Sequence, residues 1–391
     1  MLVCILGRQP ELSVVELECQ FGATGVRRYS AVAATVSSDE PFDIQRFGGV
    51  VKAGRVIAEL DYADWLTLSK DIVQRYAREL SGAEGKLTLG LSVYGRDVTE
   101  RQVGRTGLAL KQALKKQGRS VRLVPNDGPA LSTAVSHHNK LGLSPNKLEL
   151  MIVYGDRSVL IAESVGTQNI TALARRDQGR PKRDAFVGML PPKLALMMVN
   201  MTGLTPAEDT PGRILDPFCG TGVVLQEAAL LGYDVYGTDL AEKMVDYSRI
   251  NLEWLVHNFR LNTEVTIEAG DAIEHRWPSP VSAVVAETYL GQPFSAPPAA
   301  DKLEKVVRIC NDIISKFLLN LGDQLEAGTP LVLAVPAWRD EHSAFTYLPL
   351  VDKLAKLGYD WRRVEHADTK QLVYYREDQV VARQLLLITK R

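Results

Sequence analysis

Short apolar runs alternate along the chain with segments whose apolar residues recur at helical spacing, and this alternation predicts an α/β protein throughout. Leu2 to Leu6 reads as a buried strand, and Pro10 with Glu11 opens a helix through Leu17 to Phe21, proline being tolerated in a first helical turn. Val32 to Val36 and Val56 to Leu60 are further strand candidates, and Trp65 to Leu80 has helical spacing. Gly82-Ala83-Glu84-Gly85 breaks the pattern and marks a boundary. Beyond it, Leu87 to Tyr94 alternates like a strand and Val103 to Gln117 is an amphipathic helix. Val121 to Val124 follows as a strand and Leu131 to Leu141 as a helix, while Leu148 to Tyr154 and Ser158 to Val165 form a hairpin turning at Gly155-Asp156. A connector rich in Arg, Gly and Pro runs from Ala174 to Pro192, and Lys193 to Met201 starts a helix. The rest supplies the strands of a doubly wound sheet at Arg213 to Asp216, Asp234 to Thr238, Val265 to Glu268, Ala283 to Ala286 and Pro330 to Val335. Gln371 to Tyr375 and Gln384 to Thr389, joined by a polar turn at Glu377-Asp378, close that sheet as an antiparallel edge hairpin. The expected divisions are 1–82, 83–170, a connector over 171–195, and 196–391.

Chemistry enters at Ile214-Leu215-Asp216-Pro217-Phe218-Cys219-Gly220-Thr221-Gly222, followed by an apolar helix and then Val235-Tyr236-Gly237-Thr238-Asp239. A strand ending in an acid, a glycine-rich turn, a helix and a second strand ending in Asp form one βαβ half of a nucleotide-binding sheet. A pyrophosphate needs backbone N–H groups and no nearby anion, whereas this turn begins with Asp216 and lacks the G-x-G-x-x-G spacing. S-adenosylmethionine carries a sulfonium and an ammonium, which a carboxylate at the end of the first strand favours. Asp239 stands where an acid accepts hydrogen bonds from ribose hydroxyls, about 20 residues beyond the glycines. The segment reads as a methyl-donor site.

The 391 residues allow two or three domains, and the composition, 46% hydrophobic and 24% charged, is that of a globular protein. No apolar stretch approaches a membrane span, and the first residues lack the features of a secretion signal. Cys4, Cys19, Cys219 and Cys310 are far apart with no C-x-x-C pair, so neither a zinc site nor a disulfide framework is expected, and a reducing cytoplasm is the expected compartment. A net charge of −1 conceals a basic stretch: Arg101, Arg105, Lys111, Lys115, Lys116, Arg119, Arg122, Lys140 and Lys147 stand against Asp127 alone. A second cluster comprises Arg175, Arg176, Arg180, Lys182, Arg183 and Lys193. Such asymmetry points to a polyanion as partner, with a solvated helix face at Lys111 to Lys116 as the bland alternative.

The chain resembles the THUMP-containing RNA methyltransferases, most nearly the tRNA guanosine-10 N2-methyltransferase group of archaea and eukaryotes. The resemblance rests on Leu6-Gly7-Arg8-Gln9-Pro10-Glu11-Leu12, on the segment Leu131 to Leu141, on the connector Arg175-Arg176-Asp177-Gln178-Gly179-Arg180-Pro181 with Gly188 to Ala195, and on the cofactor loop Asp216 to Gly222. It implies a ferredoxin-like domain at 1–82, a THUMP-like RNA-binding domain at 83–170, and a class I methyltransferase domain at 196–391. It implies S-adenosylmethionine held by Asp216, Phe218, Gly220, Gly222, Asp239 and Asp271. It further implies tRNA contacts from Arg105, Lys111, Lys115, Lys116, Arg175, Arg176, Arg180, Lys182 and Arg183, with no metal and no membrane association. A partner subunit is left open.

Related enzymes place D-P-P-Y after the fourth strand, where the acid accepts amine protons and the aromatic ring stacks on the base. Here that strand ends as Ala286-Glu287-Thr288-Tyr289-Leu290: the acid is kept as Glu287, both prolines are absent, and Tyr289 offers a ring one place earlier. The expected reaction is methylation of the exocyclic N2 of a tRNA guanosine, with Glu287 orienting the amine and Tyr289 stacking. Rival readings are an adenine-N6 methyltransferase of DNA or rRNA and an RNA-binding protein with a drifted motif. Trp338 and Phe294 are expected in loops that shape the base pocket. Cys219 is expected to pack and not to act as a nucleophile.

Overall fold

A computed structural model describes residues 1–38, 41–81, 85–184, 190–207 and 209–391. The expected break at Gly82-Ala83-Glu84 and the Gly188-Met189 part of the connector lie outside these residues. The chain divides into two compact units, Met1–Leu17 with Phe21–Ala172, and Leu173–Arg391 with Glu18–Gln20.

The first unit runs β1 (Leu2–Leu6), α1 (Pro10–Phe21), β2 (Val26–Ser30), β3 (Ala33–Val36), β4 (Val50–Asp61), α2 (Trp65–Glu79), β5 (Leu87–Tyr94), α3 (Glu100–Lys116), β6 (Val121–Leu123), α4 (Thr133–His138), β7 (Lys147–Tyr154) and β8 (Ser158–Thr167). The segments read from sequence as separate modules, 1–82 and 83–170, share one eight-stranded sheet of order β2-β3-β1-β4-β8-β7-β5-β6. The seam is the antiparallel pairing of β4 with β8, from Lys52 opposite Thr167 to Asp61 opposite Ser158. β4 is far longer than the expected Val56 to Leu60, because Lys52 and Gly54 interrupt its apolar pattern for reasons that lie in packing. A Cβ at Gly54 would sit 3.1 Å from both Ala162 Cβ and Met151 Sδ. Helix α3 starts three residues before its first apolar position because Thr99 caps it: Thr99 Oγ1 accepts from Gln102 N, and the Gln102 side chain accepts from Thr99 N.

Lys52 is 2% exposed, and its ammonium donates to Glu149 Oε1 at 2.5 Å and to the Leu131 carbonyl at 2.7 Å. Ser92 Oγ donates to the same Glu149 oxygen at 2.6 Å and accepts from Leu131 N at 2.9 Å. One buried charge pair thus ties β4, β5, β7 and the segment entering α4. Burial pushes the Lys52 ammonium pKa down and Glu149 pulls it back up.

The second unit runs α5 (Ile170–Gln178), α6 (Pro192–Asn200), β9 (Arg213–Asp216), α7 (Val223–Leu231), β10 (Asp234–Asp239), α8 (Glu242–Phe259), β11 (Val265–Ala269), β12 (Ala283–Glu287), α9 (Ala300–Gly322), β13 (Pro330–Arg339), β14 (Phe345–Thr346), β15 (Tyr359–Trp361), β16 (Val373–Tyr374) and β17 (Val381–Lys390). Its sheet has the order β11-β10-β9-β12-β13-β17-β15. The first five strands are parallel, and β17 runs antiparallel between β13 and β15. The expected hairpin is present as β16 against β17, with Val373 opposite Gln384, although β16 is only two residues long. Trp338, expected in a loop, lies inside β13 and is 1% exposed, because that strand runs four residues beyond its expected end. Part of the expected irregular connector is the helix α5. Among the described residues no helix is long and apolar enough to cross a membrane.

Breaking the Lys52–Glu149 pair from one side leaves a charge buried without its partner. Lys52→Met is therefore expected to destabilise the protein by about 3–5 kcal/mol. The double change Lys52→Met with Glu149→Leu is expected to recover most of that loss, and urea unfolding of the single and double variants checks both expectations.

Candidate active site

β9 and β12 are parallel neighbours, with Ala283 opposite Ile214 and Val284 opposite Leu215. From β9 the chain winds outward through β10 to β11, and from β12 it winds the other way to β13. The carboxyl ends of β9 and β12 therefore flank the switch point where open α/β sheets bind ligands. Asp216 ends β9, Asp239 ends β10 and Glu287 ends β12.

The glycine-rich turn is held from several sides. Phe218 N donates to Asp216 Oδ1 at 3.1 Å, Gly220 N to Asp239 Oδ2 at 2.9 Å, and Cys219 N to the Thr238 carbonyl at 2.9 Å. Asp239 Oδ1 also accepts from Ala241 N at 2.9 Å, so this acid clamps the turn and the start of the following helix together. Gly222 has φ +79°, and a Cβ there would lie 2.4 Å from Ser248 Oγ, so only glycine lets the turn close against α8. Cys219 is buried against Gly237 of β10, where an added Cβ would lie 3.0 Å from the Cys219 Cβ. Burial, with Asp216 and Asp239 nearby, pushes its thiol pKa well up, which suits packing and not nucleophilic attack. Phe218 is half-buried with its ring edge-on to Phe317 at 5.0 Å.

Asp216 lies within the fields of two further strand-end carboxyl groups. Asp216 is 2% exposed, and its pKa is pushed well up by burial and by the charges of Asp239 and Glu287. Asp239 is raised by burial, against the two backbone N–H groups it accepts from. Glu287 is raised by burial and pulled back by Arg383 of β17, whose Nε donates to Glu287 Oε1. A buried acid raised by burial and by neighbouring acids is one that a bound cation would favour in its charged form. Asp271 follows β11, and Gly270 N donates to the Asp239 carbonyl at 3.0 Å, which brings the two acids' turns together. The Asp271 side chain accepts from Ile273 N at 3.1 Å. Tyr289 is 45% exposed two residues beyond Glu287.

The basic residues expected to meet RNA separate into two groups. On α3, Arg105, Lys115 and Lys116 are exposed and Lys111 is half-buried. Arg175 and Arg183 are exposed and Lys182 is half-buried. Arg176 and Arg180 correct the expectation of RNA contact, because both are interior. Arg176 Nε and Nη2 donate to the two oxygens of buried Glu227 at 2.7 and 3.0 Å, and Arg180 is 3% exposed. Glu227, standing beside Gln226 in the middle of the apolar helix α7, is the sequence signal that would have found the Arg176 partner.

Four further residues escape the sequence pattern. Arg383 stands at the polar end of an otherwise apolar strand. Asn251, buried on α8, donates to the Thr221 carbonyl and to the Lys182 carbonyl, both at 2.9 Å, and accepts from Lys182 N, so it binds the glycine-rich turn to the connector. Leu240 and Ile273, immediately after Asp239 and close after Asp271, are 74% and 37% exposed, large apolar side chains left on the surface next to the strand-end acids.

Residues 180–307 match the family model described as RMKL-like, methyltransferase domain. Over 196 residues the chain is 32% identical to a tRNA (guanine(10)-N2)-dimethyltransferase of Methanothermobacter thermautotrophicus, covering 49% of this chain and 51% of that protein. Over 119 residues it is 37% identical to the protein of the same name from Pyrococcus abyssi, covering 30% of this chain and 33% of that one. The chain thus spans about half, or less, of the length of these curated relatives. Among solved structures, TrmN from Thermus thermophilus has a TM-score of 0.51 at 16% identity, covering 100% of this chain and 99% of that one. A possible methylase from Clostridium difficile 630 has a TM-score of 0.52 at 14% identity, covering 100% and 98%. Sheet order and shared fold agree: the unit from Leu173 to Arg391 has the fold of these solved methylases, and within it residues 180–307 carry the match to the methyltransferase-domain model.

Proposed function

We propose that this protein transfers a methyl group from S-adenosylmethionine to the exocyclic N2 of a guanosine in tRNA. The observation that carries the reading is the placement of Glu287 and Asp216 at the ends of adjacent parallel strands at the switch point, with Asp239 beside them. The names of the curated relatives support guanine N2 and tRNA as the target.

In this reading Asp216 meets the positive end of the donor, Asp239 accepts from its ribose hydroxyls, and Asp271 from its adenine amine, with Leu240 and Ile273 packing on the ring. The backbone of Gly220 and Gly222 lets the donor lie close against the turn. The donor supplies an electrophilic methyl: the N–C bond forms as the C–S bond breaks, with the bonding pair leaving on sulfur. Glu287 accepts hydrogen bonds from the amine, aims its lone pair, and receives the one proton released once nitrogen carries the methyl. Tyr289 supplies an exposed ring for the base to stack on. A base in a paired helix cannot reach such a crevice, so the nucleotide enters flipped or unpaired. The first unit, with its THUMP-like segment and the basic face of α3, is proposed to hold tRNA phosphates, joined by Arg175, Lys182 and Arg183. This reading puts the protein in the cytoplasm with its proposed substrate.

Transfer of labelled methyl to unmodified tRNA, with nucleoside analysis of the product, tests the reaction. The wild type is expected to yield N2-methylguanosine. Glu287→Ala is expected to lose roughly 10²-fold in turnover with donor binding retained, and Asp216→Ala to lose donor binding itself. An absence of label in tRNA from a protein that still binds the donor would remove the tRNA reading.

Because its carboxyl is raised in the fold, Asp216 binds a proton more tightly folded than unfolded, and stability of the donor-free protein falls as pH rises through that raised value. Asp216→Asn keeps the acceptor for Phe218 N and removes the charge. It is expected to melt later than wild type at pH 8, by about 1 kcal/mol or more, while losing the rise in Tm that donor gives the wild type. Thermal melting at pH 5 and pH 8, with and without donor, reads both effects.

For the basic helix, the triple change Lys111→Glu, Lys115→Glu and Lys116→Glu is expected to weaken tRNA binding at low salt. Each lost phosphate contact is expected to flatten the slope of log K against log salt by roughly 0.7–0.9, measured by fluorescence titration.

A further inference from the structure

The Glu287–Arg383 pair has a consequence for which base the site accepts. Glu287 is the terminal residue of β12, and Arg383 reaches it from β17 across the intervening β13. Register fixes the reach: Glu287 lies opposite Ala334 of β13, and Arg383 opposite Pro336 of the same strand. The Glu287 and Arg383 side chains are 16% and 7% exposed. The charged groups that act with Glu287 are Arg383 from β17 and Asp216 from β9. The neighbouring Thr288 of the same turn donates to the Ala334 carbonyl of β13 and brings no charge. Burial favours a protonated Glu287, and Arg383 opposes it.

Protonation changes what the carboxyl can read. An ionised carboxylate accepts with both oxygens, whereas a protonated one accepts with one oxygen and donates with the other. Guanine presents two adjacent donors beside its target amine, N1–H and N2–H, which a carboxylate takes together. Adenine presents a donor at N6 beside a lone pair at N1, which suits the protonated acid and repels the ionised one. We propose that Arg383 is a positioning residue that sets base specificity: by holding Glu287 as a carboxylate, it makes the end of β12 complementary to the donor–donor edge of guanine and not to the donor–acceptor edge of adenine. This rests on the reading that a purine amine receives the methyl group, and it assigns to Arg383 no contact with the base.

The test compares wild type, Arg383→Lys and Arg383→Met at saturating donor from pH 6 to pH 9 on unmodified tRNA, with donor affinity measured for each. With the guanidinium gone, Glu287 protonates at higher pH. Arg383→Met is expected to lose at least about tenfold in turnover at pH 7 and to regain much of it toward pH 9, since each pH unit below a pKa costs about tenfold in the ionised fraction. Arg383→Lys is expected to keep a profile close to wild type, and donor affinity to stay within about threefold in both, well inside the 1.4 kcal/mol that a tenfold change represents. A methionine variant that binds donor and shows the wild-type profile, or that is depressed equally at every pH, overturns the proposal. A second measurement needs only the wild type. The methylated guanosine, located by mapping the product, is replaced by 2-aminopurine, which keeps the amine but presents a lone pair at N1. Transfer is expected to fall at least about tenfold, and equal transfer to both transcripts overturns the proposal even if Arg383→Met does not fold. A wild type that makes no N2-methylguanosine in tRNA is a failure of the functional reading, distinguishable from these outcomes, and it takes the inference with it.

Discussion

The second unit is organised around the burial of carboxyl groups at the ends of parallel strands. Asp216, Asp239 and Glu287 all have pKa values raised by burial, and each is held by a different partner: the Phe218 amide, the amides of Gly220 and Ala241, and the Arg383 guanidinium. Such a cluster opposes folding of the donor-free protein and favours a cationic ligand, and both effects come from the same desolvation. The sheet makes the cluster affordable, since the strands beneath it are buried and apolar from Ile214 to Leu215, Ala283 to Ala286 and Leu331 to Val335. These strand ends lie at the switch point, the place where open α/β sheets bind ligands.

The parts of this arrangement that were legible in the sequence are those that a local pattern encodes. β1, β5 and β9 have the residues expected, Leu2–Leu6, Leu87–Tyr94 and Arg213–Asp216, because each is a short apolar run bounded by polar or turn residues. Asp216, Gly220, Gly222 and Asp239 could be singled out because a turn that must close on a helix and clamp an acid leaves few residue choices. The parts that were not legible depend on contacts distant in sequence. β2 carries Arg27 and Arg28 outward in a five-residue strand and gives almost no apolar signal. Lys52 looks like a break in a strand until Glu149, 97 residues on, is seen to pair with it. Arg176 and Arg180 read as RNA-facing because charge is normally exposed, and burial of Arg176 becomes sensible only with Glu227 in view. Arg383 is 96 residues from the acid it holds.

Basic residues in this protein therefore fall into two populations. Lys52 and Arg176 are buried in pairs and fix strands and helices to one another, and Arg383 holds an acid at the ligand crevice. Arg105, Lys115 and Lys116 stay on the exposed face of α3, where a charge retains its hydration and can exchange it for a phosphate. Counting charge along the chain merges the two populations, and burial separates them. The net charge of −1 says little about either, because what a polyanion meets is a face and not a sum.

The altered motif at the end of β12 follows from the same logic. In related enzymes two prolines stiffen the turn after the acid, limiting where its carbonyl points. Here Thr288 occupies the first of those places and donates twice to the Ala334 carbonyl, from its backbone N at 3.0 Å and from Oγ1 at 3.2 Å. A proline at that position could not make the first of these bonds, so the turn is fixed by hydrogen bonds to β13 where a ring would otherwise fix it. The longer side chain of Glu287 has one more rotatable bond than aspartate, and the Arg383 contact removes that freedom. Two losses of covalent rigidity, the prolines and the shorter acid, are each matched by a polar contact to a neighbouring strand. The motif differs from D-P-P-Y in sequence, and contacts from β13 and β17 hold Glu287 and the turn after it in place.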